Sequence, residues 1–314
     1  MNCLLSTKTT CRNSNIIRCR TGFHPVLLLM FFLLFGCAPA SLSPEPAPVS
    51  AETPMLMPSN TQPVTSNLPS DTSTPEASWW HPVPGLAWQW QIGDDDIDTS
   101  IDADVFDVDL YVDQAILDEL HAKGKKVICY ISVGSWEDWR PDAEQFPAEV
   151  LGKDYEGWPG EKWLDIRQIE QLAPIMRARL DLCAAKGFDG VEPDNMDIYT
   201  NDTGLPLTYE DQLKYARWMA EEAHARGLAI GQKNASDMTA DLVNLFDFAI
   251  TEDYFYYEEA EIMLPYIQAG KPVFAAEYTD LPGDFAAFCR QAKTLGFSLI
   301  LKNRDLDSWR ETCK

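Results

Sequence analysis

Residues 169–195 read IEQLAPIMRARLDLCAAKGFDGVEPDN. Apolar side chains recur at helical spacing over 169–185, Lys186-Gly187 ends the run, and Gly190–Asp194 follows as a short β-rich segment. A basic residue and a glycine at such a junction read as a helix C-cap with a tight turn into a strand. The same signature recurs at Lys123-Gly124 and Arg226-Gly227. Working outward, β-rich runs lie at 86–92, 105–110, 126–132, 190–194, 228–234, 248–252, 272–278 and 298–302. Amphipathic stretches lie between them at 114–122, 169–185, 209–225, 240–245, 262–268 and 284–295. Such alternation implies parallel strands joined by right-handed crossovers. Eight strands within residues 79–314, close to the roughly 250 residues typical of the architecture, predict a single (β/α)8 TIM-type barrel. No glycine-rich dinucleotide or phosphate loop follows the first strand, which disfavours an open doubly wound sheet.

The preceding residues have a different character. Residues 1–36 carry Lys8, Arg12, Arg18 and Arg20 and no acid, and an apolar run over 26–35 ends in Gly36-Cys37-Ala38. Ten apolar residues are too few to span a roughly 30 Å hydrocarbon core but suit a signal-peptide core. Leu34-Phe35-Gly36-Cys37 resembles a bacterial lipobox, so residues 1–36 are expected to be a lipoprotein-type signal peptide and Cys37 the lipidated N-terminus. Residues 37–78 are rich in Pro, Ser and Thr, a composition that cannot bury enough apolar surface to offset chain entropy, and they read as a disordered linker. Trp79-Trp80 marks the return of core-forming residues. The protein is expected to be exported, held at a membrane only through the lipid, or secreted.

Against 25 Lys and Arg stand 49 Asp and Glu, and the first 36 residues hold four of the basic ones. So acidic a body disfavours nucleic-acid binding, which needs Lys and Arg to neutralise phosphates. It suits a cationic partner. The run Asp94-Asp95-Asp96, Asp98, Asp102, Asp104, Asp107 and Asp109 concentrates that charge near the first two strands, although a solvated loop would look the same. Its spacing matches no EF-hand, and no metal or cofactor is expected. Of the domain's cysteines, Cys289 and Cys313 are expected to bridge the last helix to the C-terminus. Cys129 in an apolar strand and Cys183 in a helix are expected to be buried free thiols.

Chemistry in such barrels gathers at the C-terminal ends of the strands. Here those ends carry Asp109, Ser132, Glu192, Asp194, Asn195, Lys233, Asn234, Glu252, Glu277, Tyr278 and Lys302, with Glu137 and Arg140 just beyond the third strand. An unpaired buried charge is expensive, so this many ionisable groups on one rim point to a site. Aromatic residues crowd the same segments: Trp88, Trp90, Trp136, Trp139, Trp158, Trp163, Tyr199, Tyr254 and Tyr256. Their rings suit the apolar faces of sugars, although many would serve equally as core. Two carboxylates facing each other across one sugar are the minimum equipment of most glycosidases. Glu192-Pro193-Asp194-Asn195 and Thr251-Glu252-Asp253 offer the best pair. Lys233 and Lys302 are expected to pair with the catalytic carboxylates and tune them.

The segments LAWQWQ (86–91), VICYISVGSWE (127–137), WRPD (139–142), GWPGEKWLDIR (157–167) and GFDGVEPDN (187–195) resemble glycoside-hydrolase family 114 over nearly the whole domain. That resemblance implies a (β/α)8 barrel, endo-α-1,4-polygalactosaminidase activity and a catalytic pair at Asp194 and Glu252. Asp194 would be nucleophile or base, and Glu252 acid. Substrate contacts are then expected from Trp88, Asp109, Tyr130, Ser132, Glu137, Arg140, Glu192, Asn195, Lys233, Asn234, Tyr254, Glu277 and Tyr278. After Glu252 the chain departs from the family pattern, continuing Asp253-Tyr254-Phe255-Tyr256-Tyr257 without a cysteine. A deacetylated galactosamine polymer bears ammonium groups and would meet the acidic body favourably, and the enzyme is expected to act as a monomer. Two alternatives stand beside this reading: a glycosidase of another amino-sugar polymer, and a tethered sugar-binding lipoprotein without turnover.

Overall fold

The computed structural model describes residues 78–93 and 96–313. The expected signal peptide, Cys37 and nearly all of the linker lie outside the described residues, as do Asp94 and Asp95. Twelve strands and six α-helices are present among the described residues. The main sheet runs β1 (Trp88–Gln91), β2 (Val105–Asp109), β3 (Lys126–Ser132), β7 (Gly190–Asp194), β8 (Ala229–Lys233), β9 (Phe248–Glu252), β10 (Val273–Tyr278) and β11 (Ser298–Lys302), with neighbours parallel throughout. The helices between them are α1 (Gln114–Ala122), α2 (Ile169–Lys186), α3 (Tyr209–His224), α4 (Thr239–Leu242), α5 (Leu264–Gln268) and α6 (Phe285–Leu295).

This is an α/β barrel, nearly closed. β11 pairs antiparallel with a ninth strand, β12 (Arg310–Thr312), and no ladder joins β11 to β1. Side chains bridge that seam instead. Trp88 Nε1 donates to Ser298 O at 2.9 Å, Ser298 Oγ donates to Leu86 O at 2.7 Å, and Arg310 donates to Trp88 O. Strand alternation sorts the side chains into two cores. One face of the strands packs with the helices. The other fills the barrel with Trp88, Trp90, Val105, Ile128, Ala229, Phe248, Ile250, Phe274, Ala276 and Ile300. Trp79 and Trp80 pack against this inner cluster, Trp80 against Phe248 at the N-terminal end of β9.

The connection from β3 to α2 carries a feature that periodicity did not reveal. It holds a second antiparallel sheet of β4 (Ser135–Glu137), β6 (Glu161–Leu164) and β5 (Leu151–Asp154), in that order, at the C-terminal end of β3. Cysteine pairing also departs from expectation. Cys289 is bonded to Cys313, and Cys129 is bonded to Cys183, so the strand and helix thiols are not free. β3 and α2 pack so closely that the two Cα atoms lie 6.1 Å apart, within disulfide reach.

Candidate active site

Three consecutive strands deliver the central charges. Glu192 and Asp194 alternate with Val191 and Pro193 on β7, Lys233 ends β8, and Glu252 ends β9. Each strand is followed by a residue in the left-handed region: Asn195 (φ 63°), Asn234 (φ 47°) and Asp253 (φ 62°). Asn and Asp tolerate that conformation better than other non-glycine residues. The turns bring Asn195 and Asn234 back onto the carboxylates that precede or face them.

Lys233 is the hub. Its Nζ lies 2.9 Å from Glu192 Oε1, 2.9 Å from Asp194 Oδ1 and 3.3 Å from Glu252 Oε2, and 4.7 Å from the centre of the Trp90 ring. Burial of this ammonium, only 3% exposed, would by itself favour loss of the proton. The three carboxylates reverse that and hold Lys233 well above the ordinary lysine range.

Asp194 and Glu252 are each oriented by two further groups. Asp194 Oδ2 accepts from Tyr130 OH at 2.9 Å and from Asn195 Nδ2 at 3.4 Å. Glu252 accepts from Tyr278 OH at 2.5 Å and from Asn234 Nδ2 at 2.9 Å, and its own N–H donates to Asn234 Oδ1 at 3.0 Å. Burial pushes the Glu252 carboxyl up, but Lys233, Tyr278 and Asn234 outweigh it and bring it down to about 2. The site therefore holds Glu252 ionised.

Beneath them lies a second pair. Glu192 is fully buried, with Oε2 accepting from Trp90 Nε1 at 3.0 Å. Its neighbour Asp107 is also fully buried, and no described N–H or hydroxyl donor reaches either of its oxygens. Burial and the Glu192 charge push Asp107 well above the carboxylate range, so it keeps its proton beside Glu192. Two carboxylates can share so dry a space only in this way.

Several expected contacts have other partners. Trp88 is 1% exposed and forms part of the inner core against Trp90 and Phe274, because its position on β1 points into the barrel. Glu277 accepts from the backbone N–H groups of Phe255 and Tyr256 and so fixes the loop after β9, while burial raises it to about 7. Lys302 reaches neither Asp194 nor Glu252. It donates to the carbonyls of Asp307 and Trp309, and burial lowers it to about 8. Arg140 is clamped between Glu137 (2.8 Å) and Asp109 (2.6 Å). Ser132 bonds Ser135 and Asn195 and so supports Asp194 from behind. Tyr254 is buried, its ring in the outer core.

Trp90, one of the aromatic residues noted near the strand ends, and Asp107, part of the acidic run, lie under Lys233, and Ser135 and Glu161, joined by a 2.6 Å hydrogen bond, were not anticipated. Asp197, raised to about 6 by burial and Asp194, also belongs to the site, as does Arg304, which stacks 3.8 Å from the Tyr278 ring centre and pairs with Asp253. Asp107 had a readable signal, since it sits at an inward position of Val105-Phe106-Asp107-Val108 on β2. Glu161 had none, because it depends on the small sheet.

A family model for glycoside-hydrolase family GH114 matches residues 69–314. The chain belongs to glycoside-hydrolase family GH114. This GH114 chain is a glycoside hydrolase. It is similar to the solved structure of Aspergillus fumigatus Ega3 in complex with galactosamine. The two share 40% identity over 75% of this chain and 98% of that one, with a TM-score of 0.71. The glycoside hydrolase domain of PelA from Pseudomonas aeruginosa shares the fold at 15% identity and a TM-score of 0.56, over 73% of this chain and 98% of that domain. An uncharacterized protein of Deinococcus radiodurans is 27% identical over 208 residues, covering 59% of this chain and 67% of that protein.

Proposed function

We propose that the protein is an endo-acting hydrolase of α-1,4-linked galactosamine-containing polysaccharide, with Asp194 and Glu252 as its catalytic carboxylates. The observation that carries this is the convergence of Asp194 and Glu252 on one buried ammonium, Lys233, at the C-terminal rim. The galactosamine bound by Ega3, at 40% identity, supports the sugar class. Acidic groups suit a polymer whose free amines are protonated.

Two oxygens held at 2.9 and 3.3 Å from one nitrogen bring the carboxylates close enough to flank one sugar, and we read the pair as a retaining one. Asp194, held by Lys233 and Tyr130, attacks the anomeric carbon and forms a glycosyl ester as the glycosidic bond to the leaving oxygen breaks. Glu252 gives that oxygen a proton and then takes one from the water that cleaves the ester. Because Lys233, Tyr278 and Asn234 hold Glu252 ionised, substrate binding must deliver the protonated form for the first step. Lys233 orients Asp194, and Tyr130, whose proton burial holds firmly, donates to it throughout.

On the sequence reading, the enzyme is exported, either held at a bacterial envelope through lipidated Cys37 or secreted, and it acts as a monomer on an external polymer. Incubating the protein with partly deacetylated α-1,4-galactosaminan, sizing the products and following their anomers by NMR tests the reading. Internal cleavage with retained α-configuration is expected. Exclusive cleavage of a fully N-acetylated polymer would point to the other amino-sugar glycosidase.

A further inference from the structure

The small sheet of β4, β5 and β6 frames a cavity of about 390 Å3 that the catalytic machinery does not use. Its walls include Trp136, Tyr155 and Trp158 and the carboxylates of Asp138, Asp154 and Glu161. Trp158 is 44% exposed, an unusual outlay of aromatic surface to solvent. Tyr155 packs between Trp158 and Trp163, with centroids at 6.3 and 3.9 Å, so this aromatic wall is fixed. The turn that carries Trp158 is equally tight. Gly160 has φ 95°, and a side chain there would meet Asp138 Oδ1 at 2.8 Å and the Trp139 ring at 3.0 Å.

The carboxylates are not equivalent. Asp154 is ion-paired with Lys162. Asp138 makes no side-chain hydrogen bond or ion pair among the described residues. Glu161 is more than nine-tenths buried, its Oε2 accepts from Ser135 Oγ, and no described donor reaches Oε1. That bond leaves Oε1 available to a further donor entering the cavity. The same Ser135 Oγ accepts from Asn195 Nδ2 at 3.2 Å, and Asn195 reaches Asp194 at 3.4 Å. Three hydrogen-bond links thus connect Glu161 at the cavity to Asp194.

We propose that this cavity is an additional subsite for an ammonium-bearing hexosamine of the same polymer chain, stacking on Trp158 and placing its ammonium between Asp138 and Glu161. The proposal rests on the polysaccharide reading above and extends it by naming where a sugar beyond the cleaved pair is held. It also assigns a purpose to the sheet inserted between β3 and α2. Cation, sugar face and aromatic ring are matched as in other recognition of charged, partly apolar ligands.

Calorimetric binding of an α-1,4-galactosamine heptamer and disaccharide to Asp194→Asn protein tests this. Adding Trp158→Ala or Glu161→Gln should raise the heptamer Kd about tenfold and leave the disaccharide Kd within twofold. Glu161→Gln retains an acceptor for Ser135, and Trp158 meets its turn through backbone hydrogen bonds, so both variants should fold. A fully N-acetylated heptamer should not register Glu161→Gln. An unchanged heptamer Kd in both variants overturns the subsite while leaving the polysaccharide reading intact. A heptamer that neither binds nor is cleaved by the unaltered enzyme overturns both.

Discussion

Asn234 holds Glu252 at both ends, donating from Nδ2 to the carboxylate and accepting the residue's own backbone N–H at Oδ1. The left-handed conformation of Asn234 makes this double contact possible, since it turns the side chain back toward β9. Asn234→Ala should therefore release the carboxylate and raise it from about 2 toward the ordinary range. The alkaline limb of the kcat–pH profile, set by loss of the Glu252 proton, should move upward, while the lost orientation lowers the maximum kcat on the order of tenfold, about 1.4 kcal/mol. An unmoved alkaline limb would show that the Glu252 proton does not govern turnover.

Lys233→Met removes the one cation that Glu192, Asp194 and Glu252 share. Breaking a buried pair by deleting one partner costs about 3–5 kcal/mol, because the remaining charges stay uncompensated. The loss in Tm should be largest at neutral pH and shrink near pH 4.5, where carboxylates without their cation take up protons. Adding Glu192→Gln should recover part of it. Equal losses at both pH values would mean that charge is not the cause.

The barrel was legible because its strand–helix junctions repeat a local signal, a basic residue and glycine, at Lys123-Gly124, Lys186-Gly187 and Arg226-Gly227. Asp194 and Glu252 were legible because strand ends are where such a fold collects polar side chains. Which rim residues face each other was not, since inward or outward direction depends on strand register. Neighbours in sequence split accordingly: Tyr278 reaches Glu252, whereas Glu277 turns to the Phe255 and Tyr256 backbone. Lys302 and Lys233 both end strands, yet only Lys233 faces carboxylates, because the β11–β12 turn offers its carbonyls to Lys302 first. The Cys129–Cys183 bridge escaped notice because apolar surroundings suit a thiol and a disulfide equally.

Gly134 has a role that its small size conceals. A Cβ there would fall 2.0 Å from Asn195 O and 2.8 Å from Asn195 Cβ, so the β3–β4 turn presses directly on the residue behind Asp194. Backbone cannot yield as a flexible side chain can. Gly134→Ala should cost about 1–3 kcal/mol in stability through overpacking and reduce turnover by displacing Asn195 and Asp194. Wild-type Tm and kcat together would contradict that packing.

Glu252 and Glu277 should pull the pH dependence of stability in opposite directions. Glu252 is held at about 2, below its ordinary 4.5, so its contribution is present above pH 4.5 and is lost as pH falls toward 2. Glu277 is raised to about 7, so the folded form loses stability relative to the unfolded one as pH rises from 4.5 to 7. In denaturant titrations, Glu252→Gln should flatten the acid side and Glu277→Gln the slope from 4.5 to 7. The reverse assignment would contradict the two environments.

The central claim is that Asp194 and Glu252 perform the chemistry, and turnover of the two isosteric variants on partly deacetylated α-1,4-galactosaminan tests it most directly. Asp194→Asn and Glu252→Gln should each retain the wild-type circular-dichroism spectrum and lose turnover on the order of a thousandfold, about 4 kcal/mol of transition-state stabilisation. A folded variant that keeps more than about a tenth of wild-type turnover, a loss under about 1.4 kcal/mol, would remove that residue from the catalytic pair.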